Sequence, residues 1–557
     1  MAMESLINLI SLYHDQGDYC DSSKYLSYFN STMVDEPRST HNFLFDIELT
    51  TGGFLSIITS VFCAWIIQFS ISSRHKTHYF RKTGPPLVPN LVPYFGAAFS
   101  FEKDPLGFVC LWSKHFNEGW FAFKARGKNL IVVTDPDAAF FLTSGRIPQL
   151  SFELSKYLML RNAMAATEES ARFIAFQNKT HAIINRHLLE KQELTKIIQV
   201  WQNNFTDTMS MALRREGQTV GLYEFFGECI FCATVKSFFG ETDLASKEHF
   251  RNAIVFDSAF PPLTRTFSRL WQRLRFPEQL KARELYVEAV RKIFEKDLET
   301  NPRVAQLFKD FDPVLPSISG EDKVRFYALL LFASVVNTVP TTFWVVNYLL
   351  ASKEAQEAIQ NELNEIRKRR RDASHEANFS LQEMEDMKCI DSLISEVLRL
   401  KSTTGAFRHR RCKQDFTISL TVKGEKKSFD VKKDDLFLTC PKLVHLDADI
   451  YDDPETFQWD RFLRNPEGTS SIVSKSGLKI KKPLDAFGGG PSLCPGRKFA
   501  RCEIKGTIAA LMLNYDIHFI GGESPPLPEV SRQQGPLFLN GTPKTDVLVE
   551  IIPKVNK

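Results

Sequence analysis

Between Phe54 and Ser72 the chain carries 19 consecutive residues without a charge. At 1.5 Å per residue, a helix of that length reaches about 28 Å, enough to cross the hydrocarbon of a bilayer. A secretory leader would begin closer to Met1 and have a shorter apolar core, so the pattern predicts a transmembrane helix over 54–72. A second uncharged run lies between Arg325 and Lys353, from Phe326 to Ser352, but it contains Asn337, Thr338, Pro340, Thr341, Thr342 and Asn347. Such polar groups are unfavourable in lipid, and the expectation is a long helix buried in the centre of a large domain. Lys388 to Leu400 puts Ile390, Leu393, Ile394, Val397 and Leu398 on one face, at helical spacing. Ile504, Ile508, Leu511 and Met512 do the same near the C-terminal end, and Leu130 to Val133 is a short strand-like run. Phe267, Leu270, Trp271 and Leu274, among Arg265, Arg269, Arg273 and Arg275 and just after Pro261 and Pro262, fit a basic amphipathic helix. That pattern suits a membrane surface or an ordinary core-facing helix.

The rest from about residue 100 is mostly helical in pattern, with no internal repeat. Length and balance agree with a large globular unit: 557 residues, 43% hydrophobic and 24% charged. The net charge of +4 gives no footprint for nucleic acid. The local distribution of charge is more telling. Before the first span stand Glu4, Asp15, Asp18, Asp21, Asp35, Glu36, Asp46 and Glu48 against Lys24 and Arg38; just after it come Arg74, Lys76, Arg81 and Lys82. The positive-inside rule then sets the N-terminus outside or in a lumen and the large C-terminal part in the cytosol. Asn30 heads a glycosylation sequon on the lumenal side, whereas those at Asn178, Asn204, Asn378 and Asn540 fall on the cytosolic side. Four prolines between Gly84 and Pro93 make a stiff, extended hinge. The predicted organisation is an acidic lumenal tail over 1–53, an anchor over 54–72, a basic and proline-rich hinge over 73–100, and a catalytic domain over 101–557. Arg367 to Arg371 reads as a solvated loop or a docking patch for an acidic partner. The ten cysteines are scattered and suggest no disulfide scaffold, and Cys229 with Cys232 sits in an apolar run as core thiols.

One cysteine has different surroundings: Phe487-Gly488-Gly489-Gly490-Pro491-Ser492-Leu493-Cys494-Pro495-Gly496-Arg497. Glycines ahead of a cysteine let the backbone approach a large flat ligand. The helical pattern that follows sets Cys494 just before a helix N-terminus, where free N–H groups and the macrodipole favour a thiolate. A thiolate on haem iron donates electron density and favours O–O cleavage. The alternative is a Gly-rich turn around a buried cysteine; a phosphate loop is excluded because no Gly-Lys-Ser/Thr follows.

Phe487, Gly490, Cys494 and Gly496 resemble, at each fixed position, the haem-binding loop F-x-x-G-x-x-x-C-x-G of cytochrome P450 enzymes. Glu396 and Arg399, followed by Phe457-Gln458-Trp459-Asp460-Arg461-Phe462, resemble the family's Glu-Arg pair and its P-x-x-F-x-x-x-R-F segment. Residues 333–344, 445–451 and 476–481 look like the branch containing cholesterol 7α-hydroxylase, sterol 12α-hydroxylase and prostacyclin synthase. The similarity runs from about Lys82 to the end.

The resemblance implies a mainly α fold with small β-sheets, one thiolate-ligated haem b, and Cys494 as the iron ligand. It gives Glu396, Arg399 and Arg461 a structural network, and Arg410, between Arg408 and Arg411, a contact to a haem propionate. It sets Ala333, Val336, Asn337 and the turn with Thr404, Gly405, Ala406 and Phe407 beside the substrate. Two positions depart from the common pattern. Ser492 stands two before the ligand, where Arg or His is usual, and Val336 with Asn337 replaces the usual acid and threonine of the central helix. Asn337 and Thr338 are therefore the candidate groups for oxygen chemistry. The expected function is monooxygenation of a sterol-like or terpenoid molecule at the endoplasmic reticulum membrane, with electrons from NADPH through NADPH-cytochrome P450 reductase. A haem-thiolate isomerase or dehydratase acting on a peroxide, and a non-catalytic membrane protein of the same fold, remain open at this point.

Overall fold

Strands in this protein are short and gather into small sheets, which leaves the core to the helices. The computed structural model describes residues 84–89, 95–214, 216–265, 268–295, 305–370, 378–401, 407–469, 471–530 and 541–554, with residue 60. Asn30, the span expected over 54–72 apart from residue 60, Phe267, Arg371, and Thr404, Gly405 and Ala406 lie outside the described residues.

The largest sheet joins β1 (Trp120–Ala125), β2 (Lys128–Val133), β3 (Leu150–Ser151), β5 (Arg408–Cys412) and β8 (Leu436–Thr439), in the order β1-β2-β8-β5-β3. The run Leu130–Val133 is thus a strand, buried on both faces and paired in parallel with β8. Three smaller sheets pair β6 (Phe416–Val422) with β7 (Glu425–Val431), β9 (Ser471–Val473) with β10 (Lys479–Lys481), and β12 (Leu548–Pro553) with both β4 (Gln218–Gly221) and β11 (Tyr515–Phe519). The proline-rich hinge is extended where described: the Val88 N–H donates to the Ala122 carbonyl at 2.8 Å, and the Ala122 N–H to the Pro86 carbonyl at 2.8 Å. A short helix, Ala98–Lys103, then straddles the expected boundary between hinge and catalytic domain.

The helices that build the site are α1 (Pro136–Thr143), α2 (Lys191–Ala212), α3 (Leu222–Phe239), α4 (Lys247–Arg265), α5 (Arg269–Arg275), α6 (Pro277–Phe294), α7 (Gly320–Val335), α8 (Thr338–Leu350), α9 (Lys353–Lys368), α10 (Lys388–Lys401) and α11 (Arg497–Asn514). All residues of α8 from Thr338 to Leu349 are buried, so the second apolar run of the sequence is a core helix. Among the described residues one helical run is long and apolar enough to cross a membrane, and it is this central one, Gly320–Leu350, largely buried in protein.

The central run is broken at Val336–Asn337, between α7 and α8. Pro340 accounts for the place of the break: it has no N–H to give the Val336 carbonyl, and its ring crowds that carbonyl. Threonine hydroxyls bond back to carbonyls on either side of the break. Thr338 donates to Ser334 O at 3.0 Å and Thr342 to Thr338 O at 2.9 Å.

The arginine-rich helix α5 is packed the opposite way from a core helix. Gln272 is its buried residue and donates to the carbonyls of Asn162 and Leu263, while Leu270, Trp271 and Leu274 are exposed, at 69, 43 and 75%. Pro261 and Pro262, just before this pattern, lie inside α4, which continues to Arg265.

Candidate functional site: a cysteine loop between two arginine networks

Helix α10 presents Glu396 and Arg399 one turn apart, both with no exposed surface. The Arg399 guanidinium gives two bonds of 2.8 Å to the two carboxylate oxygens, and it also donates to the carbonyls of His445 and Pro454. Arg461 donates to both oxygens of Glu396 at 3.1 Å and to the carbonyls of Asp452, Asp453 and Thr456. The Gln458 N–H adds a further donor at 3.1 Å, and Tyr451 lies under both guanidinium groups. One carboxylate thus satisfies two buried cations, which is the condition for a buried ion pair to hold. The network joins α10 to the segment just upstream of the cysteine loop. His445 extends the link by accepting the Asp485 N–H at 3.1 Å; burial, then the Lys442 charge, pushes its ring down to about 3 and keeps it neutral.

In the loop, the Cys494 N–H donates to the Phe487 carbonyl at 2.8 Å, closing the turn. Gly490 has φ +54°, and a Cβ there would lie 2.4 Å from the Thr143 carbonyl oxygen at the end of α1, so only glycine fits. Phe487 packs against the main core with the Arg501 guanidinium over its ring. Gly496 is the N-cap of α11 at an ordinary φ of −82°. A Cβ at Gly496 would meet only the Cys494 Sγ, at 3.9 Å. Neither the backbone nor the protein around it demands glycine there; a flat ligand lying close over the sulfur would.

The helix N-terminus acts on the thiol as expected, but burial acts more strongly. Burial pushes the Cys494 thiol up, against the Gly496 N–H, the charges of Arg497 and Arg408, and the Arg497 N–H, which pull it down. A metal ion resolves that opposition, because a coordinating thiol is deprotonated outright.

The Cytochrome P450 family model matches residues 85–549. The chain belongs to the cytochrome P450 family. It is 28% identical to Cytochrome P450 7A1 of Oryctolagus cuniculus over 489 residues, 84% of this chain and 92% of the relative. It is 27% identical to the Cholesterol 7-alpha-monooxygenase of Cricetulus griseus, over 84% of this chain and 92% of the relative. With the 7-alpha-hydroxycholest-4-en-3-one 12-alpha-hydroxylase of Oryctolagus cuniculus it shares 28% over 87% of this chain and 95% of the relative. This cytochrome P450 is a monooxygenase with a thiolate-ligated haem, and it resembles the branch of these hydroxylases.

The residues around the loop fit the haem. Arg408 and Arg410, two residues apart on β5, share a face, and strand alternation sets Arg411 on the other. Arg411 pairs outward with Asp434, and Arg408 with Asp485 at 3.4 Å. Arg410 is 4% exposed, and the partners of its guanidinium are the carbonyls of His409, Thr143 and Gly489 and, at 2.7 Å, the hydroxyl of Ser492. Among the described residues it has no carboxylate within ion-pair distance. Burial, then the Arg408 charge, lowers it to about 10. A buried cation beside the ligand loop without an anionic partner is what a propionate carboxylate would neutralise. The same contact accounts for the Ser492 departure, since Arg410 reaches the position where the family usually has its own cation. Lys156 and Arg497 add further positive charge, and both act on the His181 ring. His181 is lowered first by burial and then by those two charges. Sequence reasoning missed Lys156 and His181, because isolated basic residues on helices carry no spacing signal, and it quoted Arg497 in the loop without giving it a role.

On the central helix, Ala333 is exposed and Asn337 half-buried, one turn apart on the same face, whereas Val336 is 5% exposed beside the break. Thr338 points elsewhere: it is 4% exposed, and its hydroxyl lies 3.5 Å from the Glu503 carboxyl in the interior. Phe407 is buried against Phe101, with ring centroids 5.5 Å apart. Arg370, within the basic run, bonds Glu383 at 2.7 Å and stacks on Phe379, so its charge is engaged inside the molecule.

Proposed function

We propose that this cytochrome P450 is a membrane-anchored hydroxylase of a large hydrophobic substrate, sterol-like or terpenoid. Electrons come from NADPH through NADPH-cytochrome P450 reductase, and Cys494 is the iron ligand. The observation that carries the reading is the complete Cys494 loop with Arg410 buried against it and, among the described residues, lacking a carboxylate partner. The sterol hydroxylases among its relatives, matched over nearly their full length, support the substrate class. Held by Cys494 and Arg410, a haem would supply the oxygen-activating chemistry of a monooxygenase, in which one atom of dioxygen enters a C–H bond and the other becomes water with two electrons from NADPH.

The chain's own part is to hold the haem, exclude water and manage protons. Arg410 meets a propionate. Asn337, accessible on the face shared with Ala333, orients a water, since an amide donates and accepts hydrogen bonds but is a poor acid. In the full-length enzyme, Asn337→Ala is expected to retain haem and substrate binding and to lose at least about tenfold in product per NADPH, about 1.4 kcal/mol. The electrons should appear as peroxide. Unchanged coupling would remove Asn337 from the mechanism. One observation favours a second reading: Val336 cannot carry a proton where an acid is usual, which suits an isomerase that needs no reductant.

The topology of an N-terminus in the endoplasmic reticulum lumen, one span over 54–72 and a cytosolic catalytic domain rests on charge asymmetry. The outward Leu270, Trp271 and Leu274 of α5 supply a second, peripheral contact with lipid. In sealed microsomes, Asn30 should be glycosylated while the C-terminus is cut by added protease. The protein lacking residues 1–72 should still float with liposomes, and lose that when Leu270, Trp271 and Leu274 are all changed to Asp. A protected C-terminus overturns the orientation; unchanged flotation of the triple variant removes α5 from the membrane.

A further inference from the structure

Nine positions after Cys494, on the buried side of α11, stands a carboxyl that no part of the mechanism uses. Glu503 has no exposed surface. Among the described residues no Lys, Arg or His pairs with it. Its side-chain contacts are with two threonines: Thr234 on α3 at 2.8 Å and Thr338 on α8 at 3.5 Å. Thr234 in turn accepts from the Trp201 indole N–H of α2 at 3.1 Å, and the Thr338 hydroxyl reaches the Ser334 carbonyl at 3.0 Å.

Counting protons decides the direction of this chain. A threonine hydroxyl has one proton. Thr234 accepts from Trp201 and gives its proton to one oxygen of Glu503. Thr338 gives its proton to Ser334, the closer acceptor, and has none left for the carboxyl. The contact between Glu503 and Thr338 is a hydrogen bond only if Glu503 is the donor. With the acid protonated, each donor has an acceptor from Trp201 to Ser334; ionised, the carboxylate would sit buried with one hydroxyl and no counterion. A charge in that position neutralises itself instead. Burial, the largest influence on Glu503, pushes it well above the usual carboxylate range, against the pull of the Thr234 hydroxyl.

The chain's end has mechanical meaning. Ser334 and Thr338 flank the break at Val336–Asn337, and Glu503 sits on the helix that begins at the cysteine loop. We propose that Glu503 is a neutral carboxylic acid that donates to Thr338 and so ties the cysteine-loop helix to the break in the central helix, as a positioning residue for both sides of the haem site. The consequence for the haem rests on Cys494 being its ligand; the protonation state does not.

The test uses the full-length holoenzyme at neutral pH. The infrared difference between wild type and Glu503→Gln should contain a carboxylic-acid carbonyl band that shifts in D2O and moves in Thr338→Val, where the acceptor is gone. Glu503→Gln should keep the thiolate carbon monoxide band and the melting temperature of the wild type, because an amide donates to Thr338 and accepts from Thr234 as the acid does. Glu503→Ala should lose both features. Thr338→Val should keep haem content but release at least twofold more of its NADPH electrons as peroxide. Absence of the acid band, or a Gln variant as impaired as the Ala variant, overturns the neutral acid. Wild-type coupling in Thr338→Val overturns the positioning role. The band is read without turnover and does not depend on which cysteine binds iron, so its absence would leave the Cys494 reading intact.

Discussion

Cys494→Ser will give a folded protein whose reduced form lacks the red-shifted carbon monoxide band of thiolate ligation, and whose hydroxylation falls below detection. The loop remains closed in this variant, because the bond from the Cys494 N–H to Phe487 and the glycines against α1 are backbone features. What disappears is the sulfur, and a serine hydroxyl does not ionise to take its place on iron. The buried cysteines do not substitute for it, and none of them stands in a comparable loop. Cys412 and Cys502 are buried and pushed up to about 12, and Cys440 to about 11, chiefly by burial. Cys229 and Cys232 are buried in α3, as the apolar run around them suggested. The spectrum of the reduced carbon monoxide complex checks this, and a retained thiolate band would assign the iron to a different cysteine.

Glu396→Ala will fail in a different way, by loss of the fold around the haem. Removing the carboxylate leaves Arg399, with no exposed surface, and Arg461, at 10% side-chain exposure, as cations without their counterion. Breaking a buried pair from one side costs about 3–5 kcal/mol, a large part of the roughly 5–15 kcal/mol that holds a domain together. The variant is expected to purify largely without haem and to melt well below the wild type. Arg399→Lys should rescue little, because an ammonium cannot reproduce the two parallel bonds to Glu396 together with those to His445 and Pro454. Thermal melting and haem content per protein check this. A wild-type melting temperature in Glu396→Ala would mean that the network holds nothing together.

The cysteine loop was legible in the sequence from its Gly-rich turn before a cysteine. Glu and Arg one helical turn apart, by contrast, recur at Glu169/Arg172, Glu248/Arg251 and Glu288/Arg291, and it was the resemblance of the segment from Phe457 to Phe462 that singled out Glu396 and Arg399. The identity of the arginine beside the loop was open among Arg408, Arg410 and Arg411. The two-residue alternation of a strand sets Arg411 apart once β5 is known to be a strand, and only the partners, Asp485 for Arg408 and Ser492 for Arg410, tell the other two apart. The central helix read as one uninterrupted apolar run, yet Pro340 breaks it at Val336–Asn337; its missing N–H was the available signal. Thr338 was expected beside the oxygen chemistry, one residue from Asn337. A step of one residue turns a helix through about 100°, and the hydroxyl faces Glu503 in the interior instead. Glu503 itself was passed over as one polar residue in an apolar stripe with Cys502, Ile504 and Ile508, and its partners come from helices more than 160 residues away. The outward apolar face of α5 was also undetermined, since period alone does not say which side of a helix meets the core.

The most direct test of the functional reading is the fate of molecular oxygen. Purified enzyme, reductase and NADPH are incubated with a pool of sterols under 18O2, and the products are weighed by mass spectrometry. A sterol hydroxylase will yield a product carrying one 18O atom, formed only when NADPH and reductase are both present. A product that forms from a hydroperoxide without reductase or NADPH, and carries no label from 18O2, would contradict the account and make the enzyme an isomerase.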